Sequence, residues 1–208
     1  MKGKFITFEG SEGCGKSTQS RLLYQYLKRK GFRVVYLREP GGTKVSEKIR
    51  KILLDSQNDS IAPISEMLLY MAARAQLVNE IIAPALKQSR IIICDRFLDS
   101  TIAYQGYGLG LDIQLIKCVG EIATSGINPN LTIFLDLPLR KGLEHRQQSK
   151  DRIEKRSLAY HSRVLAGYLK LAHLEPKRIK IAKVQKDKNK TQSGIRKLVD
   201  KFLKLKSY

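Results

Sequence analysis

A glycine-rich octapeptide, Gly10-Ser11-Glu12-Gly13-Cys14-Gly15-Lys16-Ser17, stands directly behind a short apolar run, Lys4-Phe-Ile-Thr-Phe8, and ahead of a helical stripe. No other feature constrains the fold as strongly. A glycine, four free positions and Gly-Lys-Ser form the loop by which a backbone wraps a polyphosphate. Its glycines let successive N–H groups face inward at close range. The helix opening near Lys16 adds the partial positive charge of its N-terminus. In such a loop Lys16 reaches the β- and γ-phosphates of ATP and Ser17 holds Mg2+, so Gly10 to Thr18 is the expected ATP-binding segment. Cys14 fills a free position, where a small filler is a better reading than a nucleophile.

Around this loop the chain alternates between two periodicities. Strands are expected at Lys4–Phe8, Phe32–Leu37, Arg90–Cys94, Leu131–Leu135 and Arg178–Ala182. Their apolar residues run on without alternation, as in strands covered on both faces. Helical stripes are expected at 17–30, 44–54, 64–88, 113–124, 139–146, 157–174 and 193–206, with Pro84 kinking or ending the third. Gly106, Gly108 and Gly110 punctuate an expected loop. Strand and helix alternation of this kind predicts a doubly wound α/β fold, a five-stranded parallel sheet flanked by helices. Ligands then bind at the carboxyl ends of the strands.

Composition narrows the class. An apolar content of 42% over 208 residues supports one sizeable core, so residues 1–208 read as one domain with a short mobile lid. No run reaches the roughly 18 apolar residues of a membrane span. Glu9 and Glu12 follow the only early apolar run too closely for a signal peptide. Cys14, Cys94 and Cys118 show neither metal spacing nor a disulfide framework, so a cytoplasmic protein is expected. The formal charge of +20 invites a nucleic-acid reading, yet twelve Lys or Arg fall between residues 177 and 206, largely on one amphipathic helix. A solvated basic face is the simpler account, and no nucleic-acid partner is expected.

Two further features can be read from the residues. Asp95 closes the apolar strand, where a second carboxylate orients Mg2+ or its waters. Tyr70 and Arg74 lie four apart on a predicted helix and share a face, as do Thr101 and Gln105 on a short turn. One helical turn at 70–74 therefore offers a flat π surface and a planar donor fork. Tyr70 as amphipathic core and Arg74 as surface charge is the alternative.

The chain resembles the bacterial thymidylate kinases, P-loop nucleoside monophosphate kinases, in five blocks. These are Phe8 to Gln19; Arg38-Glu-Pro-Gly-Gly-Thr43; Tyr70-Met-Ala-Ala-Arg-Ala-Gln76; Asp95-Arg-Phe97 with Ser100-Thr-Ile-Ala-Tyr-Gln-Gly106; and Asp151-Arg-Ile-Glu154. The resemblance implies Mg2+-dependent transfer of the γ-phosphoryl of ATP to dTMP, for dTTP synthesis, by a homodimer. It implies Tyr70 stacking on thymine, Arg74 at the base edge, and Thr101 and Gln105 completing base recognition. It places Glu12 near the sugar hydroxyl, Arg38 and Arg96 near the acceptor phosphate, and residues 146–156 over ATP as the lid. Ser11, Glu12 and Cys14 leave the phosphate loop without an arginine, so the lid, where Arg146, Lys150 and Arg152 are available, is expected to supply catalytic charge beside Lys16 and Arg96, with Arg146 or Arg152 as the catalytic arginine. Ala73 stands where some members carry an acid that orients the matching arginine.

The mechanism expected needs no general base. A phosphate acceptor with a second pKa near 6 is already largely dianionic at neutral pH. The task is to hold two anions together and neutralise the transferred group. Three rival readings stay open at this level: a kinase for dUMP or CMP, a nucleic-acid-associated ATPase, and a nucleotide-binding regulator without turnover.

Overall fold

The structure, a computed structural model, describes residues 3–144 and 151–205. Five strands form one parallel sheet: β1 (Lys4–Glu9), β2 (Val34–Arg38), β3 (Ile91–Asp95), β4 (Leu131–Asp136) and β5 (Ile179–Lys183), in the order β2-β3-β1-β4-β5. Each strand ends one residue beyond its expected boundary. The polar residue closing each run still joins the ladder, pairing Arg38 with Asp95 and Asp136 with Lys183. Because Phe8 registers with Asp95, and Glu9 with Phe134, the charged strand ends emerge along one edge.

Helices cover both faces: α1 (Lys16–Arg29), α2 (Lys44–Leu54), α3 (Pro63–Leu77), α4 (Ala83–Lys87), α5 (Leu98–Thr101), α6 (Ile113–Thr124), α7 (Leu139–Glu144), α8 (Leu158–Leu174) and α9 (Lys188–Leu203). On one face Ile6, Phe8, Ile93 and Ile133 pack with Leu23 and Leu27 of α1 and Ile195 and Val199 of α9. On the other, Phe5 and Ile92 meet Leu77 and Phe97, while Phe134 and Ile179 meet Tyr168 and Leu171 of α8. In the three central strands, β1, β3 and β4, apolar residues at both odd and even positions are thus buried, which is why those runs do not alternate, whereas the edge strands β2 and β5 are only partly covered.

Three expectations need correction. Pro84 does not end its helix. A π-helical stretch, Val78–Ile82, precedes α4, and the proline falls where the hydrogen-bond register changes, so its missing N–H costs little. The stretch holding Gly106 and Gly108 is no loop either: Ile102–Gly108 continues α5 as a second π-helical segment. A side chain at Gly106 would collide with Ile113, and one at Gly108 with Tyr160, so these glycines serve close helix packing. The last helix starts at Lys188, earlier than expected, because Asp187 caps it by accepting from Asn189 N at 2.7 Å. Its first turn is polar and gave no apolar stripe. Arg146 and Lys150 lie outside the described residues.

Candidate functional site

A cleft of about 880 Å³ opens at the carboxyl edge of the sheet. It is bounded by the β1–α1 loop, the ends of β2 and β3, and the inward faces of α3 and α5. Glu12, Gly13, Gly15, Lys16, Ser17 and Thr18 line it from the loop. Arg38, Tyr70, Arg74, Asp95, Arg96, Thr101 and Gln105 are also on its wall, together with residues the sequence reading had not picked out. Residues read separately from the sequence therefore meet around one space. Gly10, Ser11, Cys14 and Arg152 are not part of its wall.

The loop is built around backbone conformations that side chains resist. Gly13 has φ +72°, and a Cβ there would collide with the Gly142 carbonyl of α7. Gly15 has φ +87° at the N-cap of α1. Lys16 folds back over the loop, its Nζ donating to Ser11 O at 2.7 Å. Ser17 Oγ donates to Asp95 Oδ2 at 2.5 Å, joining the start of α1 to the end of β3. Asp95 Oδ1 is buried with no hydrogen-bond partner. A hydroxyl and a carboxylate oxygen, both hard donors, fit Mg2+, which keeps most of its shell for water and phosphate oxygens. Among the described residues no cluster of three or more His, Cys, Asp or Glu could hold a metal by itself. Cys14 is buried and burial raises its thiol pKa, so the filler reading fits.

Arg96 is the centre of the acceptor half. Its backbone takes φ +72°, rare for a bulky side chain and commonest where a site imposes it. The guanidinium donates to Gly10 O (3.2 Å), Ser100 Oγ (3.1 Å), Tyr168 Oη (3.2 Å), Tyr104 Oη (3.0 Å) and Glu12 Oε1 (2.5 Å). Burial alone would lower its pKa, but Glu12, Tyr104, Tyr168 and Asp95 raise it well above the usual value. A fixed, permanent cation thus faces the cleft beside the phosphate loop. Beneath it Glu9 is wholly buried, accepting from Phe97 N (2.7 Å), Ser100 Oγ (2.6 Å) and Tyr168 Oη (2.9 Å). Arg38 is half exposed at the mouth and pairs with Glu47 at 3.2 Å.

Arg74 is 2% exposed, although its tip reaches the cleft. Its Nε donates to Glu39 Oε2 at 2.8 Å and its NH2 to Thr101 Oγ1 at 3.1 Å, over the ring of Phe97. The carboxylate missing at Ala73 is therefore supplied by Glu39 from the end of β2. Burial pushes the Glu39 pKa up while Arg74 opposes the shift. Tyr70, one turn earlier on α3, is half-buried on the same wall. Gln105 donates from Nε2 to Glu66 Oε1 at 2.8 Å.

Sequence reasoning did not single out Glu66, although Glu66, Tyr70 and Arg74 form one stripe with a spacing of four. It is fully buried at the start of α3, behind the cleft wall. Arg156 NH2 donates to its Oε2 at 2.6 Å, and Arg152 NH2 lies 2.6 Å from the same oxygen, out of line for a hydrogen bond. Arg152 also donates from Nε to Leu53 O at 2.9 Å. This places Arg152 in a buried ion pair and off the cleft wall, although its neighbours Asp151, Ile153 and Glu154 line the cleft. Tyr104, Ser100, Glu39 and Arg50 were also missed as cleft residues. Tyr104 and Glu39 sat inside quoted blocks, where their buried partners could not be read.

The family model described as thymidylate kinase matches residues 8–195. A thymidylate kinase of Thermoanaerobacter sp. (strain X514) is 47% identical over 204 residues, covering 98% of this chain and 100% of the relative. One of Geotalea daltonii is 50% identical over 188 residues, covering 86% and 88%. The crystal structure of thymidylate kinase from Ehrlichia chaffeensis superposes with a TM-score of 0.79 at 33% identity, covering 96% of this chain and 100% of that one.

Proposed function

The chain belongs to the thymidylate kinase family and phosphorylates dTMP to dTDP with ATP, and from that premise we propose how its cleft performs the transfer. The observation that carries the proposal is the pairing, in one cleft, of a complete phosphate loop with the buried guanidinium of Arg74. The loop from Gly10 to Thr18 holds the ATP phosphates on backbone N–H groups and on Lys16, which leaves Ser11 O to meet them. Ser17 and Asp95 would hold Mg2+. When bound, the ion neutralises charge on the phosphates.

Arg96 and Arg38 take the dTMP phosphate, Arg96 from a rigid socket and Arg38 from the mouth. Glu12 and Tyr104, bonded to each other at 2.6 Å, stand beside Arg96 where the sugar must lie. Tyr70 provides the stacking face. Arg74 and Gln105 meet the base edge, with Thr101 holding the guanidinium in place. Nothing needs to remove a proton, because the acceptor oxygen already carries its charge. The work is alignment and electrostatic relief. Of the two lid arginines, we assign the catalytic charge to Arg146, since Arg152 is committed to Glu66 and Leu53.

Among the described residues no helix is long and apolar enough to cross a membrane. With Cys14, Cys94 and Cys118 all unpaired, we place the enzyme in the cytoplasm. The test of the functional reading is ADP formation from ATP and Mg2+ with and without dTMP. ADP release that depends on dTMP is expected. Release stimulated by nucleic acid but not by any monophosphate would contradict it.

A further inference from the structure

Gln105 is 2% exposed and lines the cleft, so the direction of its side-chain amide decides what it can offer to a base. An amide can present either an acceptor or a donor, and its two ends are nearly the same size. Something must choose. Behind the amide lies Glu66, a carboxylate with no exposed surface. A carboxylate only accepts hydrogen bonds, so the nitrogen of Gln105 must turn toward it, as the 2.8 Å contact shows. The carbonyl oxygen is then the end left for the base. Arg152 and Arg156 compensate the buried charge on its other oxygen, each at 2.6 Å.

We propose that Glu66, which touches no substrate, is a specificity-determining positioning residue: it fixes the Gln105 amide so that the base meets an acceptor. The inference rests on the functional reading above. Thymine and uracil carry N–H at ring position 3 and match that acceptor. Cytosine carries a bare acceptor nitrogen there and is repelled. Arg74 and Gln105 thus read adjacent groups with opposite polarity, donor to carbonyl and acceptor to N–H. The second half of this code is set by a residue behind the wall. A glutamine at position 66 would bring its own N–H groups, and the amide of Gln105 could then turn either way.

The test measures kcat/KM for dTMP and dCMP in wild type, Glu66→Gln, Gln105→Met and the double variant. The dTMP-to-dCMP ratio is expected to fall at least tenfold in Glu66→Gln, whereas a purely structural role would lower both substrates together. In the Gln105→Met background, Glu66→Gln is expected to change the ratio no further, because its effect runs through that amide. A wild-type ratio in folded Glu66→Gln would overturn the inference, as would a full second drop in the double variant. If Glu66→Gln does not fold, Gln105→Met decides alone: its ratio must also fall at least tenfold, and a retained ratio overturns the proposal. Failure of wild type to use dTMP would instead overturn the functional reading.

Discussion

Glu9 shows how much chemistry a single buried side chain can hold beneath a site. Burial raises its pKa from 4.5 to about 7, Asp99 adds to the shift, and Ser100, Arg96 and the Phe97 N–H oppose it. A raised carboxyl binds its proton more tightly in the folded than in the unfolded protein. The stability it contributes is therefore complete below about pH 4.5 and lost as pH rises through about 7. Measured against Glu9→Gln by denaturant unfolding, the wild type should lose about 2–3 kcal/mol of relative stability between pH 5 and pH 8. A relative stability that rises over this range would contradict the burial account. Other residues show what was legible at this scale. The meeting of Lys16, Ser17 and Asp95 in one cleft was readable because each position follows from local spacing. Glu39 and Glu66 were not, since each acts through partners far along the chain. Glu66 bonds to Gln105 and Arg156, 39 and 90 positions away, and by itself reads as an ordinary acid in the first turn of a helix.

At the scale of elements, the central strands were readable because burial on both faces leaves an unbroken apolar run, and the edge strands β2 and β5 because short β-rich runs stand between helical stripes. Their last residues were not, because Glu9, Arg38, Asp95, Asp136 and Lys183 look like the start of a loop. The two π-helical stretches escaped for another reason: proline and glycine signal breaks locally, whereas here packing against α6 and α8 uses the glycines for close approach. The charged segment ending at Arg156 was expected to offer Arg146 or Arg152 to the phosphates. Arg152 instead ties it to α2 and α3 through Leu53 O and Glu66. Arg152→Ala should therefore lower stability by about 1–3 kcal/mol and leave kcat within a few-fold. Arg146→Ala should lower kcat at least tenfold with KM little changed and thermal stability intact. Loss of kcat in a fully stable Arg152→Ala protein would reverse the assignment.

At the scale of the whole molecule, the basic face of α9 and the exposed apolar residues of α2, α3 and α6 lie on different helices. The lysines of α9 face solvent while Ile195, Val199 and Leu203 face the sheet, so the basic run is the solvated stripe expected from sequence. A net charge of +20 favours the approach of two anionic substrates. Among the exposed apolar residues, Ile52 lies on α2, Leu68 on α3, and Leu115 and Ile122 on α6, the last 75% exposed, while others lie on α8 and β5. Since α3 packs against both α2 and α6, we propose their shared surface as the homodimer face. Light scattering should return twice the chain mass of 23.6 kDa, and Ile122→Asp should shift it toward one copy. A monomeric wild type would remove the proposal.

We propose that this cleft reads a thymine edge through Arg74, held by Glu39 and Thr101. A guanidinium has donors only, so it satisfies a carbonyl and opposes the amino group of cytosine. An unpaired buried donor costs about 1–3 kcal/mol, and more when charged. The methyl group separating dTMP from dUMP is worth about 1–3 kcal/mol in a shaped pocket. The most direct measurement is kcat/KM for dTMP, dUMP and dCMP, with ATP and Mg2+, in wild type and in Arg74→Ala. The expected order is dTMP, then dUMP, then dCMP far below, with the gap between dTMP and dCMP narrowed in Arg74→Ala. A wild type that prefers dCMP, or an Arg74→Ala variant with the same discrimination, would contradict the account.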